Sequence, residues 1–121
     1  MNHIKVRQVV KYGGHSIGAN GSINLTLKAS YSELTNTVNL LQLLNNDVSI
    51  KAKLPGGKPM KLGTMRVKDI KVDGDGESIV KFNGLSDYIE VDNLNGLITS
   101  EEFVVMYEAD VEEEEDDADE E

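Results

Sequence analysis

The sequence predicts a mainly β fold: a small antiparallel curled sheet or half-open barrel with one helix, followed by a disordered acidic C-terminal tail. Three observations support this. Short segments alternate apolar and polar residues between Gly- and Asn-rich turns. A single segment carries apolar residues at helical spacing. The last ten residues are nine acids and one alanine. With 121 residues, the chain has room for one β-rich domain at 1–111 before the tail at 112–121.

The first two strands are predicted to form a hairpin. In residues 3–12, apolar Ile4 and Val6 alternate with Lys5 and Arg7, and the alternation then breaks. Such a break indicates an edge position or a bulge. A Gly-rich connection ending in Asn-Gly follows, which is a strong turn signal, and residues 22–29 alternate cleanly. The two segments should therefore pair.

One helix is predicted over residues 31–45. Ser30 lies three residues before Glu33, the spacing of a capping box, and Asn45 can adopt the left-handed conformation that ends helices. An apolar stripe at helical spacing should pack on the core. The stripe consists of Leu34, Val38 and Leu41, with Leu40 and Leu44 beside them.

From residue 47 onward the pattern is β. The alternation in residues 60–72 changes phase twice, which indicates a bulge or bend at Gly63 and another near Asp69. Long bent strands of this kind let small sheets curl into barrels. A short strand is expected at 88–91, a loop at 92–96 and a last strand at 103–111. About seven strands result, and an oligonucleotide-binding type of barrel is one candidate.

Charge is strongly segregated along the chain. Residues 1–72 hold eleven Lys or Arg against three acids, a net charge of +8. Residues 73–111 hold ten acids against one Lys, a net of −9, and residues 112–121 add another −9, which together give −10. An acidic block whose one apolar residue is Ala118 cannot bury enough surface to offset the entropy of ordering.

Seven bases fall within 21 residues of the predicted sheet. A sheet face with several cations can follow a phosphate backbone, because each neutralised phosphate releases counterions. The alternative is a solvated face whose edge lysines prevent aggregation. The candidate nucleic-acid-binding residues are Lys51, Lys53, Lys58, Lys61, Arg66, Lys68 and Lys71.

Catalysis and metal chemistry find no support, so we expect no enzyme, no catalytic residues, no cofactor and no metal. The chain has no Cys and two unpaired His, and it lacks the motifs of hydrolases and metalloproteases. Asp73, Asp75 and Glu77 resemble the start of a calcium loop. That loop needs Gly at its sixth position and an acid about twelve positions along, where this chain has Ser78 and Gly84.

The leading hypothesis is a non-enzymatic protein that handles single-stranded DNA through its basic sheet face. The acidic tail would compete for that face and regulate it. This layout resembles that of single-stranded-DNA-binding proteins with acidic C-terminal tails, although this chain ends in Asp119-Glu120-Glu121 without an apolar anchor. The residues assigned to the regulatory tail are Glu112, Glu113, Glu114, Glu115, Asp116 and Asp117.

Two alternatives belong to other classes. The first is a phage-like acidic inhibitor or nucleic-acid mimic, in which residues 73–121 bind a basic host protein. The second is a small structural subunit whose sheet edges pair in a homo-oligomer. No apolar run approaches the ~20 residues of a transmembrane helix, and the N-terminus lacks the apolar core of a signal peptide. We therefore expect a cytoplasmic protein without membrane contact.

Overall fold

The computed structural model describes residues 2–98 and 100–111. Within them, six strands form an antiparallel sheet closed into a ring, so the fold is mainly β as predicted. The strands are β1 (Asn2–Ile17), β2 (Ser22–Ala29), β3 (Asp47–Lys53), β4 (Met60–Val72), β5 (Ser78–Leu85) and β6 (Phe103–Val111). Two short helices, α1 (Leu34–Leu40) and α2 (Val91–Leu97), complete the fold. The predicted acidic tail lies outside the described residues.

The ring closes in the order β1-β2-β5-β4-β3-β6. Its closure depends on β1, whose residues 2–10 pair with β6 and whose residues 11–17 pair with β2, the predicted hairpin partner. The register with β2 shifts between Tyr12 and His15, which places a bulge at Gly13-Gly14. A bulge increases local twist and bend. Because β1 pairs with both β2 and β6, the sheet is a closed barrel rather than a half-open one. Its six strands differ from the five of an oligonucleotide-binding barrel.

The break in alternation after Arg7 has a clear cause. Gln8 points inward with Val6 and Val10 and is only 1% exposed, so the strand keeps its period while a polar residue occupies a core position. Its Nε2 donates to Thr37 Oγ1 at 2.7 Å. Pairing with β6 continues without a shift through Val10. Residues 2–10 pair with no other described strand, so this half of β1 is an edge against which α1 packs.

The two irregularities predicted for β4 are confirmed. Against β3, Ile50 pairs with Gly63 and Lys51 with Lys61, which leaves one extra residue on β4. Against β5, the register shifts again between Val67 and Asp69. The first half of β4 therefore pairs with β3 and the second half only with β5, and the strand turns around the barrel between them.

The predicted 31–45 helix differs from the observed one in its ends and in its buried face. Only residues 34–40 are α-helical, and a 3-10 turn lies on each side, at 31–33 and 41–43. Thr37 and Leu40 are the buried residues of the α-helix. The 3-10 turn that follows has three residues per turn, and its buried residue is Leu43, three positions after Leu40. The expected core residues Val38 and Leu41 are instead 58% and 52% exposed.

The capping box predicted at the start of this helix does not form. Ser30 makes no side-chain cap. Glu33 faces β1, and its Oε1 accepts hydrogen bonds from the backbone N–H of Val9 at 3.2 Å and from Asn36 Nδ2 at 2.9 Å. The carboxylate therefore satisfies an edge donor of β1 rather than a helix terminus.

The predictions of a strand at 88–91 and of a loop at 92–96 are wrong. A 3-10 turn occupies Ser86–Tyr88, and α2 follows it. Asn and Gly give α2 a poor intrinsic propensity. It forms because Leu94 and Leu97 are fully buried and because Asn93 Nδ2 donates to the carbonyl of Lys61 at 2.7 Å. None of the helices in the described part of the chain is long and apolar enough to cross a membrane.

Candidate nucleic-acid interface

A row of cations crosses four neighbouring strands on the outer surface of the barrel. Lys61 of β4 lies opposite Lys51 of β3, Lys51 lies opposite Met106 of β6, and Met106 lies opposite Arg7 of β1. The three cations are exposed and Met106 is half-buried. Neighbouring strands are about 4.8 Å apart, so this row spans roughly 14 Å.

Two further cations extend the row. Lys53 is two residues beyond Lys51 on the same side of β3, opposite Val104, and Lys5 is two residues before Arg7 on the same side of β1. We call these five residues the basic face: Lys5, Arg7, Lys51, Lys53 and Lys61.

The basic face contains a shallow depression of about 320 Å³. Lys5, Arg7 and Lys51 line it around a floor that includes Met106. Glu108 is the only acid that lines it among residues 2–98 and 100–111. In the same part of the chain, none of the five cations forms an ion pair. Like charges directly opposite on a sheet repel one another, so an anion bound here would relieve that repulsion.

The other predicted cations lie elsewhere. Lys58 is exposed in the β3–β4 turn, where the N–H of Gly57 donates to the carbonyl of Leu54 at 2.9 Å. Lys71 lies near the far end of β4, with its Nζ 4.0 Å from Asp73 Oδ1. Lys58 and Lys71 are therefore not part of the basic face, although they are close to Lys51, Lys53 and Lys61 in the sequence.

Arg66 and Lys68 line a second depression, also of about 320 Å³, between β4, β5 and the segment after β5. Arg66 lies opposite Asp47 on one side and Asn83 on the other, and its Nε donates to Asp47 Oδ1 at 3.2 Å. Tyr88 lines the same depression and is exposed. Asp47 lines the depression as well, so this surface combines two cations, one of them paired with an acid, with an aromatic ring.

The remaining aromatic residues are mostly structural. Phe82 and Tyr107 stack in the core with ring centroids 5.6 Å apart, and Phe103 is buried near them in the same cluster. Burial without a hydrogen-bond partner raises the pKa of the Tyr107 hydroxyl far above its usual range. Tyr12 is half-buried and its hydroxyl hydrogen-bonds to His15 across the Gly13-Gly14 bulge.

A histidine bridges two carboxylates near the end of β6. His3 Nε2 lies 2.6 Å from Glu108 Oε2, and His3 Nδ1 lies 2.7 Å from Asp110 Oδ1. The hydrogen bonds to Asp110 and then Glu108 raise the pKa of His3 above 6.5. Both ring nitrogens are thereby occupied. In residues 2–98 and 100–111, no group of three or more His, Asp or Glu side chains is arranged to hold a metal ion.

Sequence reasoning missed Lys5 and Arg7 as partners of Lys51 and Lys61. They lie more than 40 positions away along the chain, and they join the row because β6 inserts between β3 and β1. The available signal was the outward parity of Lys5 and Arg7 in the first strand. Parity says which side a residue takes, but it does not say which strand lies beside it.

A scan against protein-family models finds no match, and none of the curated proteins searched is significantly similar in sequence.

Proposed function

We propose that the protein is a non-enzymatic, single-stranded nucleic-acid-binding protein that holds the phosphate backbone on its basic face. The observation that carries the proposal is the cross-strand row of Arg7, Lys51 and Lys61, which makes no ion pair within the described residues. A polyanion that neutralises such a row releases its own condensed counterions, which favours binding at low and moderate salt.

The shape of the basic face favours a single strand over a duplex. The face is the outside of a small closed barrel, and it presents no long helix or projecting β-ribbon of the kind that enters a major groove. A flexible single strand can follow such a curved surface, with its phosphates toward the cations.

The acidic residues of 73–111 give less support to an inhibitor that mimics nucleic acid. Asp73, Asp75 and Glu77 belong to the turn before β5, whereas Asp87 and Glu90 follow the opposite end of that strand. These five acids therefore lie at opposite ends of β5 rather than side by side. The mimic remains an outcome that the binding experiment below can detect.

The tail is proposed as an internal competitor for the basic face. β6 ends at Val111 and lies between β3 and β1 within that face, and Lys5 pairs with Glu108, three residues before this end. Three extended residues cover about 10 Å, whereas the ten tail residues can span up to ~35 Å. Their nine acids can thus reach Lys5, Arg7 and Lys51 without leaving the same molecule.

The test is fluorescence anisotropy with a labelled single-stranded oligonucleotide over a salt series. Arg7→Gln and Lys51→Gln should each weaken binding and reduce the slope of log affinity against log salt by about 0.7, the value for one phosphate contact on a single strand. Lys71→Gln is the matched control, since it removes the same charge from the far end of β4, and its slope should equal that of the parent protein.

A chain stopped after Val111 tests the tail separately. It should bind the oligonucleotide more tightly than the full chain, because the internal competitor is gone. If neither chain binds at low salt, the basic face is a solvated surface and the proposal is wrong. Pull-down by a basic protein in that case would favour the inhibitor, and a defined assembly on a sizing column would favour the homo-oligomer.

A further inference from the structure

We propose that the second depression, lined by Arg66, Lys68 and Tyr88, is a stacking site for one unpaired nucleobase. The inference rests on the proposed function. It adds a contact to a nucleobase, whereas the basic face is proposed to contact only the phosphates. Phosphate contacts position a nucleic acid, whereas an aromatic ring beside them can distinguish unpaired bases from a bare sugar–phosphate backbone.

The exposure of Tyr88 is the first observation. Its side chain is 65% exposed although it lies next to a well-packed barrel, and it lines a depression together with two cations. At about 320 Å³ the depression lies at the lower end of the roughly 300–1,000 Å³ typical of small-molecule sites. That is space for one flat ring rather than for an extended ligand.

The backbone beneath Tyr88 is held rigidly. Gly63 forms an isolated bridge with Ile89, and a Cβ at Gly63 would lie only 2.2 Å from the Tyr88 carbonyl oxygen. The N–H of Glu90 donates to the carbonyl of Leu62 at 2.9 Å. Ile89 is buried in the core. The backbone that carries the ring is therefore a fixed support, and stacking of a base would have to order only the Tyr88 side chain.

The surrounding side chains fit the phosphates on either side of a stacked base. Arg66 and Lys68 are both exposed and two residues apart on β4. The contact with Asp47 holds the Arg66 guanidinium against the sheet. Asn83, opposite Arg66, donates its Nδ2 to Asn24 Oδ1 at 2.9 Å and contributes a polar floor. Two cations, one of them paired with Asp47, thus line the depression together with the ring and this polar floor.

The stacking site and the basic face are connected along β4. Lys61 belongs to the basic face, and Arg66 lies five residues further on the same strand. At about 3.3 Å per residue this is a separation of roughly 16 Å. A single strand of a few nucleotides can therefore contact both, with its backbone on the basic face and one base on Tyr88.

The test compares two labelled ligands of equal length and charge: an oligothymidylate and the same backbone made entirely of abasic sites. The full-length parent protein should bind the oligothymidylate more tightly. Tyr88→Ala should remove that preference, with a loss of about 5- to 150-fold for oligothymidylate, since one base–aromatic contact is worth ~1–3 kcal/mol. Its affinity for the abasic ligand should not change. Tyr88→Phe should retain the preference, because the ring alone stacks.

Tyr31→Ala is the matched control, because Tyr31 is similarly exposed, 69% against 65% for Tyr88. Tyr31 lies before α1 and does not line the depression. It should bind both ligands as the parent does. Equal binding of the two ligands by the parent, or the same loss in both tyrosine variants, would overturn the stacking site while leaving phosphate binding intact. Failure of the parent to bind either ligand at low salt would overturn the proposed function itself.

Discussion

At the contact between β4 and the segment after β5, we expect a single added methyl group to lower the free energy of unfolding strongly. Gly63 has φ +123°, a conformation that side chains with a Cβ rarely adopt. In Gly63→Ala, the new Cβ would lie 2.2 Å from the Tyr88 carbonyl oxygen and 2.7 Å from the Ile89 Cα. Both are backbone atoms, so no side chain can rotate away and the 88–90 segment must move.

The loss of folding free energy can be estimated from the strain at Gly63 and from the contacts that this movement disrupts. Backbone strain at a non-glycine residue in this region costs about 1–3 kcal/mol. Loss of the hydrogen bond from the Glu90 N–H to the Leu62 carbonyl adds about 1 kcal/mol. Partial withdrawal of the buried Ile89 side chain adds part of the ~1.5–3 kcal/mol of its burial. We therefore expect Gly63→Ala to lower the free energy of unfolding by about 3–5 kcal/mol.

Urea denaturation followed by circular dichroism measures this loss. Gly14→Ala is the matched control, since Gly14 also has a positive φ of +109° but has nothing within 4 Å of the added Cβ. It should show the strain cost alone, about 1–3 kcal/mol. Equal destabilisation by the two variants would refute the close approach at Gly63, and a loss below about 1 kcal/mol in Gly63→Ala would refute the strain as well.

Three further predictions follow from the core, the helix and the histidine bridge. Thr37→Val removes the partner of the buried Gln8 amide and should cost about 1–3 kcal/mol in urea denaturation; Gln8→Leu combined with Thr37→Val should recover most of it, and additive losses would contradict the pairing. Val38→Lys should change the free energy of unfolding by less than about 0.5 kcal/mol, whereas Leu40→Ala should cost about 2–5 kcal/mol; the reverse order would contradict the observed helix face. Because its carboxylate partners raise the pKa of His3 above 6.5, its stabilising contribution is complete below pH 6.5 and is lost as pH rises through the folded-state pKa. The stability difference between the parent and His3→Gln should therefore shrink with rising pH, and NMR titration should place the His3 pKa above 6.5.

Much of the strand pattern could be predicted because it depends on local residue order. The alternation of residues 22–29 and 103–111 specifies which side chains face inward, and Gly or Asn marks several of the turns. The phase changes in residues 60–72 located both irregularities of β4, because a one-residue insertion moves every later side chain to the other face. These features follow from covalent geometry and from the separation of apolar and polar groups along one strand.

The helices could be predicted only in part, because tertiary packing overrides weak local signals. The stripe assumed a continuous α-helix, whereas 3-10 turns lie on both sides of a short one. Leu40 is buried as predicted, but Leu43 takes the second core position and Val38 and Leu41 are exposed. The propensities of Asn93 and Gly96 oppose a helix at 91–97. That helix forms because Leu94 and Leu97 are buried against the barrel. This packing partner is distant along the chain, so the local sequence does not reveal it.

The candidate site could also be predicted only in part from the sequence. The cluster of bases and its outward parity on β3 and β4 were visible in the order of residues alone, as was the opposite charge of the C-terminal ten residues. Only the closure of the ring through β6 placed Arg7 in one row with Lys51 and Lys61. Only the tertiary structure, in which Gly63 bridges to Ile89, brought Tyr88 to the depression that Arg66 and Lys68 line. Charge and periodicity are properties of neighbours along the chain, whereas a binding surface is made by neighbours in space, and long-range strand pairing decides which those are.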